Sequence, residues 1–454
     1  MRLLEREPHV GGLAASFTVA GVRVDHGSHR LHPATPEPIL ADLRTLMGPD
    51  LQTRRRNGRL RLGQRWTPFP LRPAELARDL APGVLARLGI EALAAPFRRP
   101  HADTYAEVLR AGLGPTAYRL LYAPYAEKLW GLRGDLIDGE QARVRVTAGS
   151  PAKVAARMLR GGRGGSGNRG GSGGSGSDGG RGDGRGRIFY YPRRGFGQLS
   201  EALAAAAIEA GADIRLGSAV VEISAWKDGA VLRDADGGRV LARHVLSTLP
   251  VTALARLVSP GPPAAVRTAA AGLEVRAMVL VHLVHEGGRW SDYDAHYLPG
   301  RETPVTRISE PANYRVSADD PSDRSVLCAE LPCRVGDQAW RSPDASLAEV
   351  VRATLAVTGL PPVRGTDVEV RRLPSVYPVY GLGYGERLAV VEDWVSGLPW
   401  VTSFGRLGVF AHDNTHHALA MAAAAVASLD PDGHRDPVAW AAARRSFAAH
   451  VVED

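Results

Sequence analysis

One tract of this sequence cannot contribute to a hydrophobic core. Residues 161–187 read GGRGGSGNRGGSGGSGSDGGRGDGRGR and contain no apolar side chain. Burial of apolar surface offsets the entropy lost when a chain becomes ordered, and this tract has none to bury. We therefore expect residues 161–187 to form a disordered loop between two parts that fold together. An RNA-binding tract of the Arg-Gly-Gly type is the alternative, which the absence of aromatic residues and the mid-chain position disfavour.

The chain as a whole is large enough for two or three domains. It has 454 residues in all, and 44% of them are hydrophobic. The net charge of +8 comes almost wholly from arginine, and no basic block alternates with aromatic residues, so no nucleic-acid partner is predicted. No run of 18 apolar residues occurs, so no membrane span is expected, while peripheral membrane contact stays open. Having only two cysteines, Cys328 and Cys333, favours a reducing, cytoplasmic location.

The order of the predicted elements indicates an α/β protein with a second, mostly antiparallel sheet. Leu3 and Leu4 resemble the end of a strand, so a segment upstream of Met1 is expected to be missing. Helical periodicity dominates the part before the Gly-rich tract, whereas strand patterns dominate the part after it, interrupted by a helix at 345–358. The predicted strands are 213–216, 219–224, 240–249, 274–286, 304–310, 325–333, 367–376 and 400–404.

Near the beginning of the chain, Glu5 is followed by the pair Gly11-Gly12. In a dinucleotide-binding unit, the second strand ends on an acidic residue whose carboxylate accepts hydrogen bonds from the adenosine ribose. Glycines then allow the backbone to approach the cofactor, because they carry no Cβ. Taken alone, the pattern is also compatible with an ordinary charged strand end and turn.

A histidine-rich loop follows in VAGVRVDHGSHRLHP, residues 19–33. His26, His29 and His32 recur at every third position, which is a spacing that invites a metal-site interpretation. No Cys or Glu lies beside them and the segment reads as a strand followed by a loop, so we predict no metal site.

The third pattern is SFGRLGVFAHDNTHHALAMAAAAVASL, residues 403–429. A strand leads into a Gly-containing turn, and a helix is predicted to begin near Asn414 and Thr415, both of which are good N-cap residues. The positive end of that helix dipole would stabilise a pyrophosphate or a reduced flavin. A buried Ala-rich helix without a ligand is the alternative.

Taken in order, these segments resemble the protoporphyrinogen-oxidase-like branch of the FAD-dependent amine-oxidase superfamily, which is related to UDP-galactopyranose mutase. The similarity covers nearly the whole chain except residues 161–187. The segments that carry it are LLEREPHVGGLAASF, GVRVDHGSHRLHP, YAPYAEKLWGL, YYPRRGFGQLSEAL, AVVEIS, LSTLP, HYLPGRETPVTRISEPANY, YPVYGLGY and GRLGVFAHDNTHHA.

The resemblance implies FAD as the cofactor and assigns residues to it. Glu5 would bind the ribose, Gly11 and Gly12 would flank the cofactor, and Val220 would contact the adenine through its backbone. The remaining residues implied to lie along the pyrophosphate and flavin are His29, Gly405, Arg406, Asn414 and His416.

The resemblance also implies how the α/β fold is divided. A Rossmann-like FAD-binding domain, whose first βα unit is missing, would comprise residues 1–35, 188–260 and 386–430. A helical lobe would occupy residues 36–160, a mixed or antiparallel-sheet substrate domain 261–385, and a C-terminal helix or tail 431–454. Two departures from the family pattern stand out: the opening G-x-G-x-x-G is absent, as expected for an N-terminally truncated member, and His416 replaces an Asp.

The implied activity is an oxidoreductase in which hydride passes from a small organic substrate to flavin N5. The sequence identifies no general base; His29, His416 and Lys128 are the catalytic candidates, each also open to a structural role. A mutase acting on a nucleotide sugar without net redox change is the first alternative, suggested by Tyr377, Tyr380 and Tyr384 with neighbouring arginines. An inactive, truncated flavin-fold paralogue is the second. The oligomeric state is not predicted.

Overall fold

A computed structural model describes residues 1–71, 75, 78–98, 103–146 and 188–452. The Gly-rich tract 161–187 lies outside the described residues, so the expectation of disorder there stays a prediction. The described part is mixed α/β, as the sequence predicts, and contains one large sheet with several smaller ones. None of its helices combines the length and the apolar character that crossing a bilayer requires.

The large sheet is built around the long strand Val275–Glu286, which pairs antiparallel with Arg324–Cys333 and with Val368–Pro378. Alternate side chains of a strand face opposite sides. Val279, Val281 and Leu283 lie in one buried cluster that also contains side chains of the helix Asp344–Thr358. The seven strands, in spatial order, are Val368–Pro378, Val275–Glu286, Arg324–Cys333, Arg307–Ser309, Ala295–Tyr297, Gly58–Leu62 and Arg65–Phe69.

Two parallel strand pairs lie in the part predicted to be Rossmann-like. Arg2–Leu4 pairs with Asp213–Arg215, and Val245–Ser247 pairs with Val401–Ser403. A four-stranded sheet follows in the chain, and its strands in spatial order are Arg239–Ala242, Gly229–Asp234, Val220–Trp226 and Val258–Ser259.

Two further antiparallel pairs complete the described strands. Ser16–Val19 pairs with Val22–Asp25 as a hairpin. Leu51–Arg55 pairs with Ile188–Pro192 and so joins the chain on the two sides of the Gly-rich tract. The two sides of that tract therefore share one folded structure.

Helices cover the sheets and form most of the structure between residues 82 and 146. There, Thr104 caps a helix through a reciprocal capping box with Glu107, and Tyr105 packs edge-on against Trp130 in the core of this helical part. The described α-helices are Glu37–Met47, Pro82–Ala94, Tyr105–Leu113, Pro115–Ala117, Ala123–Trp130, Glu140–Val146, Gln198–Glu209, Val251–Leu257, Ala264–Ala271, Gln338–Arg341, Asp344–Thr358, Tyr384–Ser396, Thr415–Ala427 and Pro437–Phe447. A π-helical turn spans Tyr118–Tyr122, and 3-10 turns span Gly12–Ala14, Gly48–Asp50, Ala95–Phe97 and Pro311–Asn313.

Candidate functional site

Glu5 lies immediately after the first strand of a parallel pair. Its backbone N–H donates to the carbonyl of Arg215 at 2.9 Å, and its carbonyl accepts the N–H of Ser218 at 2.8 Å. Its carboxylate Oε1 accepts the N–H of Glu7 at 2.9 Å, which leaves the second oxygen available to a ligand. Val220 opens the next strand two residues after Ser218. Glu5 is thus hydrogen-bonded to the segment that leads into the strand Val220–Trp226.

Gly11 and Gly12 both adopt left-handed backbone angles, with φ of +103° and +52°. A Cβ on Gly11 would come within 3.0 Å of the Ser200 hydroxyl, on the helix Gln198–Glu209. A Cβ on Gly12 would meet no described atom within 4 Å. Gly11 is therefore required by close packing, whereas Gly12 faces open space that a ligand can occupy.

The histidine-rich loop is anchored by the buried carboxylate of Asp25. It accepts hydrogen bonds from the hydroxyls of Ser16 at 2.6 Å and Tyr191 at 2.5 Å, and from the N–H of Phe196 at 2.9 Å. Burial raises the pKa of Asp25 above its usual value, against the effect of these hydrogen bonds. The ring of His29 stacks on Phe196 with centroids 5.3 Å apart. The loop is a fixed part of the structure.

His29 is neutral in this environment. Its pKa is lowered to about 3, chiefly by burial and also by the positive charges of Arg307 and Arg406. Its Nδ1 has no hydrogen-bond partner among the described residues. A buried imidazole nitrogen without a partner is costly, and a ligand at this place would satisfy it.

The turn before the helix Thr415–Ala427 is tightly packed. A Cβ on Gly408 would lie only 2.1 Å from the carbonyl oxygen of Phe404, and Gly405 has a φ of +80°. Asn414 is the N-cap residue, and its N–H donates to Nδ1 of His417 at 3.2 Å. The predicted start of this helix is confirmed at Thr415.

His416 lies at the first turn of the same helix, and its ring approaches His32 at 5.7 Å and His417 at 4.0 Å. Burial lowers the pKa of His416 to about 3, with a further contribution from His417. The structure therefore brings together two sequence-predicted segments, the histidine-rich loop and the closing helix, through His32 and His416.

Arg406 belongs to a half-buried cluster around Tyr377. Its guanidinium lies 4.8 Å from the Tyr377 ring centroid, and that of Arg145 lies 5.6 Å from the same ring and 5.6 Å from Trp130. The His412 ring stacks on Tyr377 at 6.1 Å. Burial lowers the pKa of Arg406; Tyr377 acts in the opposite direction, and Arg145 lowers it again. Two guanidinium groups thus lie close enough to repel one another.

This cluster retains polar atoms that lack partners. The Nε atoms of Arg145 and Arg406 and the indole Nε1 of Trp130 are buried and have no hydrogen-bond partner in the described part of the chain. Neither arginine forms an ion pair there. Partly buried cations without an ion-pair partner in the described residues indicate a place for an anionic or hydrogen-bonding ligand.

Lys128 lies outside the cluster around Tyr377 and binds backbone carbonyls. Its ammonium donates to the carbonyls of Leu298 at 2.5 Å and Val305 at 2.9 Å. Burial lowers its pKa to about 8, while Glu302 acts in the opposite direction. Lys128 thus connects the helix Ala123–Trp130 to the loop between two strands of the large sheet.

The tyrosines that suggested a nucleotide-sugar site divide into two groups. Tyr377 belongs to the cationic cluster, whereas Tyr380 and Tyr384 stack on each other at 4.1 Å and 7°. The Tyr380 hydroxyl donates to the carbonyl of Phe410 at 3.1 Å. The last two tyrosines therefore pack against each other, apart from the cluster around Tyr377.

Sequence reasoning missed Arg145 and His412 because neither belongs to a recognisable spacing. It also missed the grouping of Asp413, His417 and His450, whose potential ligand atoms all lie within 4.8 Å of one another. The only available signal was a second His in the segment HDNTHHA, and the third member is distant in sequence.

Solved structures that share this fold include a mutase and two oxidases. Reduced UDP-galactopyranose mutase superposes with a TM-score of 0.76 at 18% identity, covering 98% of this chain and 89% of that one. A putative protoporphyrinogen oxidase from Exiguobacterium sp. 255-15 gives 0.65 at 18% identity, covering 89% and 88%. Putrescine oxidase bound to putrescine gives 0.59 at 16% identity, covering 92% and 90%. At these identities the likeness shows the fold alone.

The sequence profile of the flavin-containing amine oxidoreductases matches residues 1–387. The chain belongs to this family, as the resemblance of its motifs predicts. No curated protein matches the sequence at a significant level.

The described residues fit a flavin nucleotide. Gly12 faces open space, and His29 and Arg406 each keep a buried nitrogen without a partner in the described structure. These are the features that a bound cofactor with phosphate and ring heteroatoms would complete.

Proposed function

We propose that this chain is an FAD-dependent oxidoreductase that transfers a hydride from a small organic substrate to flavin N5. The observation that carries the proposal is the pair His29 and Arg406. Both are half-buried and lie near enough for Arg406 to lower the pKa of His29, and each retains a buried nitrogen without a partner among the described residues. Family membership supports a flavin cofactor, and this pair supports the proposed position for it.

The residues that would hold FAD are those that the resemblance assigns. The Glu5 carboxylate would accept hydrogen bonds from the ribose hydroxyls. The backbone at Gly11, Gly12 and Val220 would flank the adenosine. Gly405 and Arg406 would lie along the pyrophosphate. Asn414 begins a helix of 13 residues, whose positive end favours an anion. His416 would lie near the flavin at the same helix end.

Bound FAD supplies the electron acceptor for a substrate C–H bond, and the protein supplies orientation and charge. His29 and His416 are both neutral near pH 7, since their pKa values are about 3. Each can donate one hydrogen bond and accept another, but neither takes up a second proton in this pH range. We therefore assign both an orienting role, and we assign Lys128 the role of holding the loop that contains Leu298 and Val305.

The substrate class follows from Arg145 and Tyr377. A guanidinium that lies over an aromatic ring, has no carboxylate partner in the described structure and is close to a second guanidinium favours an anionic group. We propose that the substrate carries a carboxylate or phosphate which Arg145 binds, while Tyr377 and Trp130 pack against its apolar part.

A mutase acting on a nucleotide sugar is the second candidate, because the same arginines suit a diphosphate. The two activities differ in what the flavin requires. The test is to incubate the purified chain with FAD and follow the flavin absorbance under anaerobic conditions. Loss of the oxidised flavin band on addition of an anionic amine or related substrate, with no other reductant, is the result expected for an oxidoreductase.

Other outcomes would contradict the proposal. Turnover of a nucleotide sugar only after dithionite reduction would favour the mutase. Failure to retain any flavin after gel filtration would favour an inactive paralogue. We further propose a cytoplasmic location, in keeping with two buried cysteines, Cys328 and Cys333, that are both free.

A further inference from the structure

Asp413 is a buried carboxylate that lies beside two imidazoles. Its side chain is 2% exposed, and its oxygens lie 3.3 Å from Nδ1 of His417 and 3.4 Å from Nδ1 of His450. The side chains of His417 and His450 are 11% and 18% exposed. No Lys or Arg forms an ion pair with Asp413 in the described part of the chain. A buried carboxylate requires a compensating positive charge.

The two separations differ from those of charge-assisted hydrogen bonds. Such bonds join nitrogen and oxygen at about 2.7–2.9 Å. Ligand atoms bound at about 2.1 Å to a tetrahedral Zn²⁺ are about 3.4 Å apart, because that is the edge of the tetrahedron. The observed values of 3.3 and 3.4 Å match that edge. The rings of His417 and His450 stack with centroids 4.2 Å apart and planes at 11°, so one imidazole would turn relative to the other when both nitrogens bind one ion.

The tautomer of His417 favours a metal cation, not a shared proton, between its Nδ1 and the Asp413 carboxylate. The backbone N–H of Asn414 donates to Nδ1 of His417 at 3.2 Å, so this nitrogen is unprotonated, and a bound metal would take its lone pair in place of this hydrogen bond. The nearest Asp413 oxygen is also an acceptor. Two acceptors that face each other at 3.3 Å repel unless a cation lies between them.

We propose that Asp413, His417 and His450 bind one divalent transition-metal ion, with Zn²⁺ as the best match. Two imidazole nitrogens and one carboxylate oxygen are a donor set that suits Zn²⁺, with a water molecule completing the tetrahedron. Mg²⁺ and Ca²⁺ prefer all-oxygen sites and would bind poorly.

Such a metal would connect three parts of the fold. Asp413 and His417 border the start of the helix Thr415–Ala427, while His450 follows the helix Pro437–Phe447. Two residues further on, the N–H of Val452 donates to the carbonyl of Val144 at 2.9 Å. The metal would therefore hold the segment around His450 in place beside the helix Glu140–Val146, which carries Arg145.

The experiment is a calorimetric titration of Zn²⁺ into the full chain after treatment with EDTA. We expect one Zn²⁺ per chain, at least tenfold weaker binding in His450→Ala and in Asp413→Asn, and no response to Mg²⁺. The matched control is His434→Ala, which removes an exposed His that lies 3.6 Å from Asp430 four residues earlier. That variant should bind Zn²⁺ as the original chain does.

Two results would overturn the proposal: binding that is unchanged in His450→Ala, or binding that falls equally in His434→Ala. Asp413→Asn is the more disruptive change, so folding of each variant is verified by circular dichroism. If Asp413→Asn does not fold, His450→Ala decides the result.

A Co²⁺ titration gives a second readout, because tetrahedral Co²⁺ absorbs strongly in the visible range and octahedral Co²⁺ does not. A weak octahedral spectrum would also contradict the site. Neither measurement uses flavin or substrate, so its outcome is independent of the proposed oxidoreductase activity.

Discussion

The imidazole of His29 stacks on the ring of Phe196 at 5.3 Å and 21°, and the backbone N–H of Phe196 donates to Asp25 at 2.9 Å. This relationship connects the histidine-rich loop to the segment that follows the Gly-rich tract. It places a neutral imidazole, whose Nδ1 lacks a partner in the described structure, on a rigid support. The chemistry that we propose depends on that rigidity, since a group that orients a cofactor must itself be held in place.

Replacement of Asp25 should destabilise the fold. Asp25→Ala leaves the hydroxyls of Ser16 and Tyr191 and the N–H of Phe196 without their acceptor in the interior. We expect the free energy of unfolding to fall by about 3–5 kcal/mol, measured by urea denaturation, because breaking a buried charged network by removing one member costs that much. The control Asp432→Ala removes a carboxylate that is 79% exposed and should change stability by less than about 0.5 kcal/mol. Equal effects in the two variants would contradict this interpretation of the Asp25 network.

Gly11 and Gly12 should respond differently to alanine. Gly11→Ala combines a φ of +103° with a Cβ 3.0 Å from the Ser200 hydroxyl, so we expect a loss of about 1–3 kcal/mol in urea unfolding. Gly12→Ala adds a Cβ that meets no described atom within 4 Å, at a φ of +52°, so about 1 kcal/mol is expected. Gly12→Ala should nevertheless weaken FAD binding in a fluorescence titration, because its Cβ enters the proposed cofactor space. Unchanged FAD affinity in Gly12→Ala would argue against that placement.

Arg145 should be required for anion binding, whereas Arg143 on the same helix should not. We expect Arg145→Met to weaken the binding of inorganic pyrophosphate to FAD-incubated protein by about 10-fold or more, since a charged hydrogen bond contributes about 1.5–3 kcal/mol. Arg143 is 48% exposed and pairs with Glu140, so Arg143→Met serves as the matched control. Calorimetric titration compares the two variants. A loss of similar size in both would indicate general electrostatic attraction, not a site at Arg145.

Lys128 should make stability depend on alkaline pH. Its pKa is lowered to about 8 in the folded chain from 10.5, so the unfolded chain binds more protons between these two values. Stability therefore rises with pH across this window, relative to a variant that cannot titrate. We expect the free energy of unfolding of the original chain to increase relative to Lys128→Met as pH is raised from 8 to 10. A difference between the two proteins that stays constant with pH would show that burial does not perturb Lys128.

The local elements were largely predictable from the sequence. The predicted strands 274–286, 325–333 and 367–376 correspond to Val275–Glu286, Arg324–Cys333 and Val368–Pro378, and the helix predicted at 345–358 corresponds to Asp344–Thr358. These segments have apolar patterns that repeat over neighbouring residues, so their conformation is encoded locally. The predicted domain boundaries and the cofactor roles of individual residues stay predictions.

Part of the candidate site was also accessible from local patterns. Glu5 lies at a strand end and Asn414 at a helix N-cap, as their sequence contexts predict. Arg145 and His412 carry no such pattern, because their importance comes from being buried together around Tyr377. A sequence cannot indicate which arginine will lose its solvent and its counter-charge on folding.

The sequence by itself determined the family, the α/β class and the existence of the main strands and helices, because each depends on ordered motifs or on periodicity among close neighbours. Only the tertiary structure decided that Leu51–Arg55 pairs with Ile188–Pro192, and that Gly58–Leu62 joins the large sheet beside Ala295–Tyr297. It alone brought His450 to Asp413, 37 residues away. Such pairings are selected by the burial of apolar surface and the compensation of charge between distant segments, which no local pattern of residues records.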